Sequence, residues 1–238
     1  MPPIIAMGTW NERGASAPLK PKSRCFVVAE GANTEYWYLS NLATMLSKRN
    51  LPERIEIVPI RRTGDDRNKS HPRALIEQAK KIQDDVDGSF GFERDIDRIV
   101  AVFDADVYKG DASRYVADLA EFDGVAQVAV TNPSFELFLV LHVEGAVERY
   151  LVPHREEILA NGYYEGTRRR FISKLANDVL GMNTKSNRDV ARLAESFDVA
   201  ARQERLLNQD PRSAMNDLTS NIALTIEGLI EEGRSGVD

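Results

Sequence analysis

Short apolar runs that stop abruptly in polar or acidic residues, with helical segments between them, constrain the fold more than any other feature of this chain. Cys25-Phe26-Val27-Val28-Ala29 stops at Glu30-Gly31, Ile99-Val100-Ala101-Val102-Phe103 stops at Asp104-Ala105-Asp106, and residues 125–130 run into Thr131-Asn132-Pro133. Continuous apolar runs of this length read as strands buried on both faces. A further strand is predicted at 55–60, where Ile55, Ile57 and Val58 alternate with charge. Between the strands, Tyr36, Leu39, Leu42, Ala43 and Leu46 repeat at helical spacing over 35–48, with Asn33 or Thr34 as N-cap. Leu75, Ile76, Ala79 and Ile82 do the same over 73–86, a shorter helix is predicted over 113–120, and Ser134 is positioned to cap an intensely apolar one over 135–143. Strands that alternate with helices imply right-handed crossovers and a mostly parallel sheet covered on both faces.

Beyond His154 the periodicity is helical only, over about 156–161, 168–180, 187–208 and 214–232. The stripes formed by Phe171, Leu175 and Leu180, by Leu193 and Phe197, and by Leu218, Ile222, Ile226 and Ile230 must pack on each other or on the sheet. Three parts are expected: a flexible arm over 1–23, whose Pro, Gly, Ser and charge bury too little to offset ordering, an α/β domain over 24–150, and an all-helical extension over 151–238 packed on it. The 31 basic and 37 acidic side chains leave a net charge of −6, which argues against binding a polyanion through whole-chain charge. One cysteine, Cys25, excludes an intramolecular disulfide and fits a reducing compartment. With no run of about eighteen apolar residues and no signal-peptide order at the amino end, the chain reads as soluble and cytoplasmic, with no membrane partner.

In open parallel sheets ligands bind at the carboxyl ends of the strands, near the point where strand order reverses. Here those ends carry Glu30, Asp104 and Asp106, and the fourth strand leads into Asn132 and, one helical turn on, Glu136. Carboxylates gathered at one edge repel one another unless a divalent cation neutralises them. Magnesium, with manganese as a substitute, prefers such hard oxygen donors and usually takes one or two carboxylates plus water and phosphate oxygens. Asp104 and Asp106, two apart at a strand end, suit that role, although an Asp-x-Asp in this position also serves as a turn or a helix cap.

Taken together, Ala29-Glu30-Gly31-Ala32-Asn33-Thr34-Glu35-x-x-Tyr38, Val102-Phe103-Asp104-Ala105-Asp106 and the run from Asn132-Pro133-Ser134-Phe135-Glu136 to His142 resemble the three motifs of the RloB-like family. Glu-Gly after one strand and Asp-x-Asp after another also resemble the metal-binding signature of the TOPRIM fold. The likeness covers about 24–143, and more faintly the tail, where Asp210-Pro211-Arg212-Ser213 resembles a late Asn-Pro-x-Thr element. Two positions depart from the family pattern: Asn33 stands where a lysine is usual, and Ala105 where a basic residue is common. The resemblance implies a TOPRIM-like α/β fold and a nuclease of a prokaryotic defence locus, sometimes beside an ABC-type ATPase. It further implies Glu30 as general acid or base and Asp104 and Asp106 as magnesium ligands. Glu136 is an additional ligand candidate and Glu35 a weaker one, since each opens a helix where the dipole alone favours a carboxylate.

The remaining candidates carry two readings each. Asn132 either orients a carboxylate or water or simply marks an Asn-Pro turn. His142, on an apolar helix, is either a ligand or a hydrogen-bonded core residue. Tyr36, Trp37 and Tyr38 can stack on bases, but three consecutive helical residues cannot share one groove, so at least one is core. Two basic clusters stand against the acidic whole, Arg61, Arg62, Arg67 and Lys69 with Arg73 after the second strand, and Arg168, Arg169 and Arg170 with Lys174 at the start of a predicted helix. Both are candidate phosphate contacts or solvated faces. The sequence therefore supports a magnesium-dependent TOPRIM nuclease acting on DNA or RNA. The rival readings are a non-catalytic nucleic-acid-binding or sensor subunit working with a partner ATPase, and a phosphotransfer enzyme acting on a small phosphate ester. Substrate type and oligomeric state are left open by the sequence.

Overall fold

The structure, a computed structural model, describes residues 23–48, 55–61 and 71–235. Arg62, Arg67, Lys69 and residues 1–22 of the predicted arm lie outside the described residues. Five strands, β1 Ser23–Ala29, β2 Ile55–Ile60, β3 Arg98–Asp104, β4 Gln127–Asn132 and β5 Thr219–Ser220, form one sheet in the order β2-β1-β3-β4-β5. The pairings among β1 to β4 are parallel, and β5 joins β4 antiparallel. The chain leaves β1 toward β2 on one side and then crosses to β3 on the other. The reversal of strand order therefore falls between β1 and β3, where an open α/β sheet forms its ligand crevice. The inner strands are the ones with unbroken apolar runs, while β2, at the edge, exposes Glu56.

Alternation along the strands divides the core in two. Cys25, Val27, Ala29, Val100, Val102 and Ala129 face α1 (Thr34–Lys48) and α4 (Phe135–Val140), whereas Phe26, Val28, Ile99, Ala101, Phe103 and Val130 face α2 (Pro72–Asp84) and α3 (Ala112–Glu121). Every residue of α4 is buried. The carboxyl-terminal helices α5 (Arg155–Ala160), α6 (Phe171–Leu180), α7 (Phe197–Glu204) and α8 (Ile222–Ser235) bury Ile158, Ile172, Ala200 and Ile226 in the same cluster as α1 and α4. The helical region and that face of the sheet thus share one apolar core, as the stripes required.

Three local features differ from the pattern of the sequence. The span expected as one helix over 187–208 is a 3-10 run, Arg188–Ser196, followed by α7. The span over 214–232 opens instead with a 3-10 turn, Pro211–Asn216, and contributes β5 before α8 begins. Pro211 starts that turn with Asp210 accepting from the Arg212 N–H, and Asn208 exchanges backbone hydrogen bonds with Leu218 and Ser220, which draws the segment into an extended edge. Lastly, α6 starts at Phe171, so Arg168, Arg169 and Arg170 precede the helix, where three cations do not oppose its dipole from within the first turn.

Two consecutive polar residues of α7 hold the helical region to the rest. The Gln203 amide donates to the carbonyls of Leu141 (2.5 Å) and Val143 (2.7 Å), just beyond α4. The fully buried Glu204 carboxylate accepts from the Ser220 hydroxyl (2.5 Å) and from the Ala223 (3.1 Å) and Leu224 (2.8 Å) N–H groups, which are orphan donors at the start of α8. Burial raises its pKa while these donors pull it back. Glu204→Ala strands those donors in the core and is expected to cost about 3 kcal/mol in urea unfolding, against about 1 kcal/mol for Glu204→Gln, which still accepts. Equal losses would show that Glu204 acts through packing alone.

Candidate functional site

The site is built where β1, β3 and β4 end. The Glu30 N–H donates to the Val102 carbonyl (2.9 Å), prolonging the β1–β3 pairing by one residue, and Glu30 Oε2 accepts from the Asp104 N–H (3.2 Å). Asp104 is registered opposite Thr131 on β4, and the Thr131 hydroxyl donates to Asp104 Oδ1 (2.7 Å). The chain then enters a 3-10 turn, Ala105–Tyr108, in which the Asp106 N–H is held by the Pro133 carbonyl (3.2 Å) and Asp106 Oδ2 accepts from the Asn161 amide (3.0 Å). Glu136, in the first turn of α4, is buried; its carboxylate accepts from the hydroxyls of Ser134 (2.7 Å) and Ser173 (3.1 Å) and meets Lys185 Nζ at 3.5 Å. Ser134, expected to cap α4, makes no side-chain cap hydrogen bond and instead donates its hydroxyl to Glu136. Glu35 folds back over Gly31, its carboxylate lying where a Cβ at that position would go, so a larger residue there would have to displace the Glu35 side chain.

The carboxylates predicted from scattered motifs therefore share one electrostatic neighbourhood. Burial, then the charges of Glu30, Glu35, Asp106 and Glu136, push Asp104 well above the usual carboxylate range. Burial and then Glu136 raise Asp106 as well, against the opposing pull of Arg170, Lys185 and the Asn161 hydrogen bond. Lys185 is held up chiefly by Glu136, with Asp104 and Glu35 adding to it. Two other buried acids have an arginine: Asp97 meets Arg24 at 2.5 Å and Asp118 meets Arg73 at 3.3 Å, while Glu204 is satisfied by the Ser220 hydroxyl and two backbone N–H groups. Asp104 has the Thr131 hydroxyl instead, and among the described residues no cation pairs with it.

That imbalance suits a divalent cation, and the donors are the hard oxygens magnesium prefers. Among the described residues no three His, Cys, Asp or Glu side chains converge closely enough to enclose an ion. The fit is therefore to magnesium held in its ordinary manner, by one or two carboxylates with water completing the shell. A thiol nucleophile does not fit, since Cys25 is buried in β1 and burial pushes its pKa up to about 12.

The other predicted residues fall in different places. His142 lies in the core: its Nε2 faces the Tyr38 hydroxyl (2.9 Å) and its Nδ1 the carbonyls of Phe138 (3.2 Å) and Leu139 (3.1 Å). Carbonyls only accept, so Nδ1 carries the proton and Nε2 accepts from Tyr38; burial lowers the imidazole to about 4 and keeps it neutral. Asn132 donates to the Asp217 carbonyl (2.8 Å), tying β4 to the tail, and its neighbour Thr131 is the residue that orients a carboxylate. Arg61 stacks on Tyr36, its guanidinium 5.5 Å from the ring centre. Arg168 and Arg169 are exposed, and Arg170 donates to the Asn161 carbonyl (3.0 Å) beside Asp106.

Sequence reasoning missed Thr131, Asn161, Ser173 and Lys185. Thr131 was within reach, being the residue a parallel neighbour of Asp104 would place opposite it. Lys185 lies in a polar loop, Asn183-Thr184-Lys185-Ser186, with no periodicity to mark it, and is brought in partly because Thr34 donates to the Thr184 carbonyl (2.9 Å). A model of the family described as RloB-like protein matches residues 25–232, a span that contains every carboxylate of the site and Lys185. No curated protein and no solved structure matches the chain.

Because Asp104 is raised from its ordinary value of 3.8, the folded chain holds this proton to higher pH than the unfolded one. Its contribution to stability therefore falls as pH rises from that value through the raised one, and ionising it in the folded chain is a net cost to folding. Asp104→Asn keeps an acceptor for Thr131 and removes the charge, so in chelator its Tm at pH 7.5 is expected to exceed that of the unsubstituted chain, by about 2–4 °C per kcal/mol relieved. The gap should narrow toward pH 4. Thermal melts across that range would refute the assignment if the variant were no more stable.

Proposed function

The chain belongs to the RloB-like family, and from that premise we propose that it is a magnesium-dependent, TOPRIM-type nuclease that hydrolyses phosphodiester bonds of nucleic acid in a prokaryotic defence system. The observation that carries this reading is that Glu30, Glu35, Asp106 and Glu136 all bear on Asp104 at the carboxyl ends of the strands, raising it, while it lacks a cationic partner among the described residues. Magnesium or manganese at Asp104, with Glu30 or Asp106, would supply a polarised phosphoryl oxygen and a water of lowered pKa. Glu30 takes the proton of the attacking water as the new P–O bond forms, and returns it to the departing oxygen as the old one breaks. Asp106 is kept in place by Asn161, and Lys185 faces the phosphate charge from the Glu136 side. Among the described residues no helix is long and apolar enough to cross a membrane.

A second reading has an observation of its own. Glu136 is engaged by two hydroxyls and an ammonium, and Asp106 by an amide, so part of the acidic set is already satisfied by protein donors. A non-catalytic subunit that binds nucleic acid and signals to a partner ATPase would use the same cleft.

Incubating the purified chain with end-labelled duplex DNA, single strands and tRNA, in magnesium, manganese or chelator, separates the two. Metal-dependent cleavage is expected, abolished in Asp104→Asn and Asp106→Asn. Glu30→Gln should bind as before but cut about 10²–10⁴-fold more slowly, since a general acid or base acts on the reacting proton and not on affinity. Tight binding without cleavage under every metal supplied would favour the sensor.

A further inference from the structure

Between α5 and α6 the chain forms a small hairpin that the site's carboxylates do not use. Tyr163 pairs antiparallel with Arg170, the Tyr164 N–H donates to the Arg169 carbonyl (2.8 Å), and the Phe171 N–H donates to the Gly162 carbonyl (2.9 Å). The tip is closed by the Thr167 N–H to the Tyr164 carbonyl (3.0 Å), with Gly166 at φ +70°, a conformation that favours glycine. Tyr163 is 66% exposed and Tyr164 43%. Each ring is backed by its own cation, the Arg170 guanidinium 4.5 Å from the Tyr163 centre and the Lys174 ammonium 5.3 Å from that of Tyr164. Arg168 and Arg169 are exposed beside them, and Glu165 is the single acid between Gly162 and Lys174.

We propose that this hairpin is a stacking platform for the unpaired bases of a single-stranded nucleic acid, whose phosphates it passes to the carboxylate site. The inference rests on the proposed function for the class of ligand and goes beyond it by naming the strand form. Two exposed tyrosines held by cations offer flat faces with little left to order on binding, and every base has a face to stack. Arg168 and Arg169 supply phosphate contacts in the same few residues. A duplex keeps its base faces stacked inside, so a platform of this kind discriminates for single strands, loops and ends. The root of the hairpin adjoins the site: Asn161, immediately before Gly162, donates to Asp106 and accepts from Arg170. A strand lying on the tyrosines is thereby led toward Asp106.

Fluorescence anisotropy of the full chain with a labelled thymidine dodecamer, and with a duplex of the same length, tests this in chelator, where no cleavage can occur. Tyr163→Ala and Tyr164→Ala are each expected to weaken single-strand binding about 10-fold and to leave duplex binding unchanged, whereas Tyr163→Trp restores it. Arg168→Ala with Arg169→Ala should instead flatten the slope of log affinity against log salt, by about 0.7 for each phosphate no longer neutralised. Unchanged single-strand affinity in both tyrosine variants, an equal loss on duplex, failure of tryptophan to rescue, or no nucleic-acid binding at all would overturn the platform. Binding through the tyrosines by a chain that never cuts would uphold it and remove the nuclease reading. Metal-dependent cutting that both tyrosine variants retain, with unchanged single-strand affinity, would do the reverse.

Discussion

Asp104 sits where folding and chemistry pull in opposite directions. The β1–β3 crossing, which gives the sheet its two apolar faces, also brings the carboxyl ends of both strands together, and each ends in an acid. Burial and four neighbouring carboxylates hold Asp104 well above the ordinary range, and the nearest help is a hydroxyl and not an arginine. A chain selected for stability alone would place asparagine or a paired acid there, as it does with Asp97 and Arg24 at the other end of β3. An acid raised in this way at a strand end, with no cation paired to it among the described residues, is the feature on which the proposed metal site rests.

The helical region is a working part of that site. The first half of the chain supplies carboxylates and the second supplies what positions them: Asn161 holds Asp106, while Ser173 and Lys185 hold Glu136. These donors reach the strand ends because α4 is buried on all sides, with α6 and α7 packed against it and with Gln203 and Glu204 fastening α7 to the chain beyond α4 and to α8. A change in that packing moves the partners of the acids before it touches the acids themselves.

Much of this was legible in the residues. Unbroken apolar runs identify the inner strands because a strand covered on both faces can place no charge along its length, and alternation at Ile55–Ile60 marks an edge. The same logic finds Glu30, Asp104 and Asp106, since the first polar residue after such a strand lies at its carboxyl end. Glu136 was legible as the acid one turn into α4, although its ammonium partner was not. Arg168, Arg169 and Arg170 were read as the start of a helix, yet they form one arm of a hairpin, because helical periodicity from Phe171 onward says nothing about where the helix begins.

What the sequence by itself determined is therefore everything carried by local period and by the ends of apolar runs: the α/β order, the parallel sheet, the helical second half and the acids at the strand tips. What only the tertiary structure decided is which distant polar residues meet them. Thr131, Asn161, Ser173 and Lys185 have no periodicity of their own, and β5 is too short to have any. They meet the acids through contacts tens of residues apart, such as Asn161 with Asp106 and Ser173 with Glu136, and Lys185 comes in beside a contact of Thr34 with Thr184. Such contacts depend on how whole helices pack, a property that no window of a few residues contains.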